Sequence, residues 1–392
     1  MLERVVRRPA PAAFLVAGAG GLPVILFGGL LVLSLLPVLA TPIPAMLDYP
    51  NHLARMFLLS RGGGAHPHYQ VAWGLYSNLA MDLTVPQLAR LMSVESATRL
   101  FLLVAQLLVV SGAMAIEWAV KRRFELAGFA ALLFLYSMPF AWGFVNFQFG
   151  LGLALWGIAL WLLLAGRSLA ARFGLHCLMV AVLFAAHFFA LGIYGFTIGV
   201  IELWAVASRR AGLGDLLARF TPLALPPLVV LGLMIWLGGS VGGAGTDWLP
   251  LYKPRWIFSV LSGYNLPLSI IGTIILIALV YVLARHGMLR LTHAGPGLAA
   301  GFALLYVAMP FRLFDTAFVD VRVIVTAALV LPGFVTLSLP GPRWRIALAS
   351  LVIGLTLLNL ASVARVWTSY RADYAEMIDS FRLLDRGSRV LI

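Results

Sequence analysis

Charged residues are few in this chain. They make up 11% of its 392 residues, against about 25% in an ordinary soluble domain, while 62% are hydrophobic and the mean hydropathy is +0.98. Water is therefore not its main solvent. Cysteine is nearly missing: the lone Cys177 rules out an intrachain disulfide and a metal centre built from cysteines. Also missing are a repeat of fixed period, a low-complexity tract, a heptad pattern and the internal symmetry of inverted-repeat transporters. Acids are scarce beside bases, giving a net charge of +13 and a pI of about 10.5. The cations fall between apolar runs and never form a basic stripe interleaved with aromatics, so no nucleic-acid partner is expected.

Long apolar runs recur along nearly the whole chain. Candidate spans are residues 22 to 40, 98 to 118, 126 to 144, 149 to 165, 173 to 188, 190 to 207, 221 to 238, 267 to 284, 296 to 310, 322 to 339 and 345 to 364. Backbone polar groups in hydrocarbon must be satisfied within their own segment, so the expected fold is all-α and polytopic, with about eleven transmembrane helices, some short or broken. Residues 1 to 364 form one membrane domain on this reading. Residues 365 to 392 form a short tail whose strand-like Val390-Leu391-Ile392 suggests the start of a further soluble domain. Arg4, Arg7 and Arg8 precede the first run, and Pro42 and Pro44 follow it where a cleavage site would need small residues, so this run is expected to stay as a first helix.

Placing the N-terminus in the cytoplasm puts 15 of the 28 Lys and Arg, with only 3 of the 15 acids, on the inner side. The expected location is the inner membrane of a cell, with the C-terminus on the periplasmic or extracellular side. Inner loops are then short and basic, and the long segments 41 to 97, 239 to 266 and 365 to 392 all lie outside, where chemistry is expected.

The first outer loop reads Asp48-Tyr49-Pro50-Asn51-His52-Leu53-Ala54-Arg55-Met56-Phe57. Asp48 can cap a helix that tolerates Pro50 in its first turn, with Leu53, Met56 and Phe57 as an apolar stripe. Asp48, His52 and Arg55 then share the other face at i, i+4 and i+7. A capping Asp is also placed to act as a general base, and a nearby cation can hold a phosphate leaving group. A second amphipathic helix is expected where Thr84, Pro86 and Gln87 resemble a capping box and Leu88, Leu91 and Met92 are apolar. His66-Pro67-His68 has the look of a loop more than of a metal site, which leaves a divalent metal open as a cofactor.

Further candidates lie later in the chain. Asn146 and Gln148, in Gly143-Phe144-Val145-Asn146-Phe147-Gln148, and His187 at the outer end of the fifth span face either substrate or neighbouring helices. Asp247, Lys253 and Arg255 share a Gly-rich outer loop that suits a cationic flap. Arg312, Asp315, Asp320 and Arg322 cluster where the ninth span meets the tenth, with Arg322 either paired to an Asp or holding an anionic headgroup. Glu117 and Glu202, near the inner ends of their spans, are expected as snorkelling ion-pair partners.

A first span followed at once by a long outer loop with an Asp on a surface helix, together with the Gly143 to Gln148 segment and Asp320 near Arg322, resembles the GT-C superfamily of membrane glycosyltransferases. The resemblance implies transfer of a sugar from a polyprenyl-phosphate donor on the outer face, with membrane lipids as surroundings. Asp48 would be the catalytic carboxylate. His52, Arg55, Asn146, Gln148, His187 and Asp320 would contact substrate, and Arg322, Arg312, Lys253 or Arg255 would hold the lipid phosphate. Two features depart from the family pattern: Tyr49 follows Asp48 where many members have a second acid, and the soluble C-terminal domain is reduced to a tail. The alternatives are a lipid or lipid-linked-sugar flippase, an outer-face polymerase or ligase, and a non-catalytic envelope-assembly protein. A nearly uncharged midplane disfavours ion-coupled transport, and the longest loop comes first where a polymerase would have it late.

Overall fold

The computed structural model describes residues 22–62, 69–209, 212–237, 245–313 and 316–384. The His66-Pro67-His68 segment, Asp315, Arg4, Arg7, Arg8 and Val390-Leu391-Ile392 lie outside the described residues. The helices are α1 (Leu22–Ala40), α2 (Tyr49–Ser60), α3 (Ala80–Leu88), α4 (Val94–Lys121), α5 (Ala127–Phe134), α6 (Met138–Ala141), α7 (Val145–Leu163), α8 (Leu169–Ala186), α9 (Phe188–Ala207) and α10 (Leu213–Trp236), then α11 (Lys253–Ser259), α12 (Leu266–Arg285), α13 (Gly295–Ala308), α14 (Val319–Val330) and α15 (Pro342–Ser380). Among the described residues four very short strands make two antiparallel pairs: β1 (Leu289–Leu291) with β4 (Val335–Leu337), and β2 (Arg312–Leu313) with β3 (Thr316–Ala317).

Among the described residues eight helices, α1, α4, α7, α8, α9, α10, α12 and α15, are long and apolar enough to cross a membrane. Their surroundings differ sharply. In α7 72% of the apolar window is buried within the chain, but only 17% in α1, 11% in α10 and 22% in α12. Apolar faces that wide are rare on water-exposed monomers and ordinary against lipid tails. The packed centre is α4 against α7. Glycines let these two approach: a Cβ on Gly112 would lie 2.7 Å from Leu155 Cβ, and one on Gly152 would lie 2.5 Å from Leu108 Cβ.

The three remaining expected spans are short or interrupted, each at a proline. Residues 126 to 144 form α5 and α6, broken before Pro139. Residues 296 to 310 form α13, which stops at Ala308, two residues before Pro310. Residues 322 to 339 were expected as one span, but α14 ends at Val330, a 3₁₀ turn carries Pro332 and Gly333, and the chain leaves as β4. Proline lacks the N–H that the helix ladder needs and its ring crowds the preceding turn, which favours a break at these positions, whereas α10 runs unbroken through Pro222, Pro226 and Pro227. The last span runs straight into the tail, because α15 continues for 39 residues, about 58 Å at 1.5 Å per residue.

Glu117 and Glu202 anchor the end of the bundle opposite Asp48. Glu117 is fully buried rather than snorkelling. Its carboxylate accepts from Lys121 and from the backbone N–H groups of Glu125, Leu126 and Ala127, so it caps α5. Glu202 ties three helices, accepting from Arg172 of α8 at 2.6 Å, from Arg219 of α10 and from the Trp161 indole at 3.1 Å. Removing one side of a buried ion cluster strands the other charges. Glu202→Gln is accordingly expected to destabilise the protein by about 3 kcal/mol, seen as a lower unfolding temperature in detergent. An unchanged temperature would mean that the two arginines find water instead.

Candidate active site

The first outer-loop helix, α2, docks through one face. Tyr49 and Met56 are buried and Leu53 packs against the core, as a stripe at helical spacing should, while Phe57 stands exposed with the Arg61 guanidinium 4.2 Å from its ring centre. Asp48 is the residue before the helix, but its side chain does not cap it. Side-chain capping needs an extended backbone, and Asp48 is already helical at φ −93° and ψ −1°. Its half-buried carboxylate has no ion pair or hydrogen bond among the described residues.

Backbone contacts fix Asp48 instead. Its N–H donates to the Trp142 carbonyl at 3.1 Å, and the Leu47 N–H donates to that of Ala141 at 3.0 Å. Gly143 makes this approach possible. At φ +87° it holds a conformation that L side chains rarely adopt, and a Cβ there would lie 2.8 Å from Asp48 N and 2.9 Å from Asp48 Cβ.

His52 reaches the same glycine, with Nε2 3.0 Å from the Gly143 carbonyl oxygen. A carbonyl only accepts, so Nε2 carries the proton and Nδ1 keeps its lone pair. Burial pushes the His52 pKa below its ordinary 6.5, opposed by the Gly143 hydrogen bond and the Asp48 charge. Unfolded, the same ring takes up a proton as pH falls through about 6.5, so the unfolded state binds more protons there. Stability should therefore be flat above pH 6.5 and decline below it. The decline should be smaller in His52→Gln, measured as unfolding temperature against pH; an equal decline in both proteins would assign it to other groups.

The third member of the face, Arg55, finds a partner that sequence reading did not single out. Its Nε donates to Asp82 Oδ1 at 2.6 Å, and the Asp82 side chain is only 2% exposed. The charges of Asp48, Arg55 and Asp82 all bear on His52. Asp82 belongs to α3, which corrects the expected second helix: it begins at Ala80, not near Thr84. Thr84 and Pro86 lie inside it, and the Thr84 hydroxyl donates back to the Ala80 carbonyl instead of capping. The available signal was a single acid between Met81 and Leu83 in an outer loop.

The later candidates divide. Asn146 holds the scaffold together: its Oδ1 accepts from the Met81 N–H at 2.9 Å and its Nδ2 donates to the Asn78 carbonyl at 2.8 Å, joining α7 to α3. Gln148 is buried two residues on. His187 caps α9 through Nδ1, which accepts from the Phe189 N–H at 3.2 Å, and its ring centre lies 5.6 Å from that of Phe147. Lys253 and Asp320 form a buried pair at 3.3 Å, and the Lys253 ammonium also donates to the carbonyls of Tyr306 and Met309 at 2.7 Å each. Arg255 is exposed. Arg312 pairs with Asp247 at 3.5 Å on the surface. Neither Arg255 nor Arg312 joins the Asp48 cluster.

Arg322 is different. It is 4% exposed; of the two partners expected for it, Asp320 turns to Lys253 instead and Asp315 lies outside the described residues. No ion pair to Arg322 occurs among the described residues. Its guanidinium lies 4.4 Å from the Phe144 ring centre, 5.4 Å from that of Phe147 and 5.8 Å from that of Phe189. Nε and Nη1 are buried with no hydrogen-bond partner among the described residues, and Nη2 makes only a long contact of 3.4 Å to the Ala317 carbonyl. Phe144 follows Gly143, which packs on Asp48, so the Asp48 carboxylate and a buried cation flank one short stretch of chain. Among the described residues no three His, Cys, Asp or Glu side chains converge as a metal-binding group.

No family model, no curated protein and no solved structure matches the chain at a significant level. Any functional reading therefore rests on these residues alone.

Proposed function

We propose that the chain is a membrane glycosyltransferase of the GT-C kind, moving a sugar from a polyprenyl-phosphate donor to an acceptor hydroxyl on the outer face of the inner membrane. The observation that carries this reading is the pairing, around Gly143-Phe144, of a carboxylate, Asp48, and a buried guanidinium, Arg322, neither of which has an ion-pair partner among the described residues. A structural Asp commonly caps a helix or pairs with a cation, as Asp82 and Asp320 do, and a structural buried Arg is commonly paired.

In the proposed step the acceptor oxygen attacks the anomeric carbon, its proton passes to the Asp48 carboxylate, and the bond from that carbon to the phosphate oxygen breaks. The electron pair leaves with the lipid phosphate, whose growing negative charge Arg322 stabilises in a dry setting of phenylalanine rings. His52 positions Asp48 by holding the Gly143 carbonyl. The apolar faces left open on α1, α10 and α12 suit contact with membrane lipid and with a polyprenyl tail.

The test is sugar transfer by the full chain in liposomes from a panel of polyprenyl-phosphate sugars, compared with empty liposomes. Transfer with at least one donor is the expected result. No transfer with any donor, together with protein-dependent movement of a labelled lipid between leaflets, would overturn the reading in favour of a flippase.

A further inference from the structure

Beyond Arg55 the face of α2 continues into a cleft that the transfer chemistry does not use. A cavity of about 410 Å³ lies between the end of α2 and α3, and a second of about 180 Å³ adjoins it under the 69–79 segment. Leu59, Trp73 and Asp82 line both, which makes them one cleft. The larger volume is within the usual range for small-molecule sites.

The lining is amphipathic in a particular way. Trp73 is 62% exposed, offering a flat indole face, and Tyr76 adds a second exposed ring. At the floor sits the Asp82 carboxylate, on a side chain 2% exposed, with one oxygen on Arg55. Gln87 and Arg90 supply donors and an acceptor at the rim of the larger cavity. The wall carrying the rings is anchored: Ser77 Oγ donates to the Phe184 carbonyl at 2.5 Å, the Leu79 N–H donates to that of Ala185 at 2.8 Å, and Asn78, at φ +71°, accepts from Asn146.

A flat aromatic face opposite a carboxylate and an amide suits a ring with apolar C–H faces and many hydroxyls. The Asp82 charge is met by Arg55 at 2.6 Å and Arg90 stands at the rim, so the cleft is polar and opposes lipid tails. We propose that this cleft is a saccharide subsite, in which a neutral sugar ring stacks on Trp73 and hydrogen-bonds to Asp82 and Gln87. Resting on the transferase reading, this makes the acceptor a glycan longer than one ring. Arg55 lies seven residues along α2 from Asp48, about 10 Å at 1.5 Å per residue, so a chain held here extends its end toward the base.

Binding is tested apart from transfer, with the full chain in nanodiscs applied to an array of neutral and acidic oligosaccharides without donor. The wild type and Asp48→Asn should bind the same neutral glycans equally. Trp73→Ala should weaken that binding about tenfold, and Trp73→Phe, which keeps a flat ring, should stay within about threefold. Trp73 is exposed, so neither change threatens folding. Binding of no neutral glycan, or binding that Trp73→Ala leaves intact, overturns the subsite whether or not transfer is seen. Trp73-dependent binding without any transfer keeps the subsite and removes the transferase.

Discussion

Under the proposed transferase reading, Arg322→Met should cost the protein its donor and leave it more stable. The guanidinium is 4% exposed, two of its nitrogens have no hydrogen-bond partner among the described residues, and a buried charge without a carboxylate is expensive to keep. The rings of Phe144, Phe147 and Phe189 return part of that cost through their negative faces. Methionine fills a similar slender volume, keeps favourable contact with the rings and carries no charge. A gain of about 1 kcal/mol or more is expected, read as a higher unfolding temperature. Polyprenyl-phosphate sugar transfer should fall by roughly 10²- to 10³-fold, the range typical for losing one group that stabilises developing charge. Arg322→Lys should not restore it, because an ammonium has neither the planar fork nor the ring-stacking face. Lower stability with normal transfer would make Arg322 a structural post among the phenylalanines.

Asp48→Asn removes a base while keeping shape and hydrogen-bonding reach. The Asp48 carboxylate serves no cap and no ion pair among the described residues, so folding should hardly notice the change. Catalysis should: positioned bases contribute about 10²- to 10⁴-fold, and the loss should fall on kcat with donor binding preserved. Equal loss of donor affinity would instead indicate that the substitution disturbs the backbone contacts to Ala141 and Trp142.

Much of this architecture was legible from residue spacing. Apolar run length foretold the helices that became α1, α4, α7, α8, α9, α10, α12 and α15, since burying or lipid-facing a helix needs a run of that length. The i, i+4, i+7 spacing placed Asp48, His52 and Arg55 near one another, and the charges of Asp48, just before α2, and of Arg55 both act on His52. Pro139, Pro310 and Pro332-Gly333 were in view as helix breakers, but apolar content alone carried the expected spans across them. The partners were not legible, because they come from far along the chain. Asp82 meets Arg55 across a loop, and Arg322 meets Phe144 and Phe189 from three separate helix ends, so no local pattern records either meeting. Asp48 was misread as a side-chain cap because its backbone conformation, set by the Gly143 approach, is a tertiary fact.

The central claim is that Asp48 is the base of a sugar transfer. It is met most directly by the initial rate of transfer from a polyprenyl-phosphate sugar at saturating donor and acceptor, for wild type and Asp48→Asn in the same lipid and at equal amounts. A rate at least 100-fold lower in the variant, with its donor binding unchanged, is the predicted result. Equal rates would contradict the account and move catalysis away from α2.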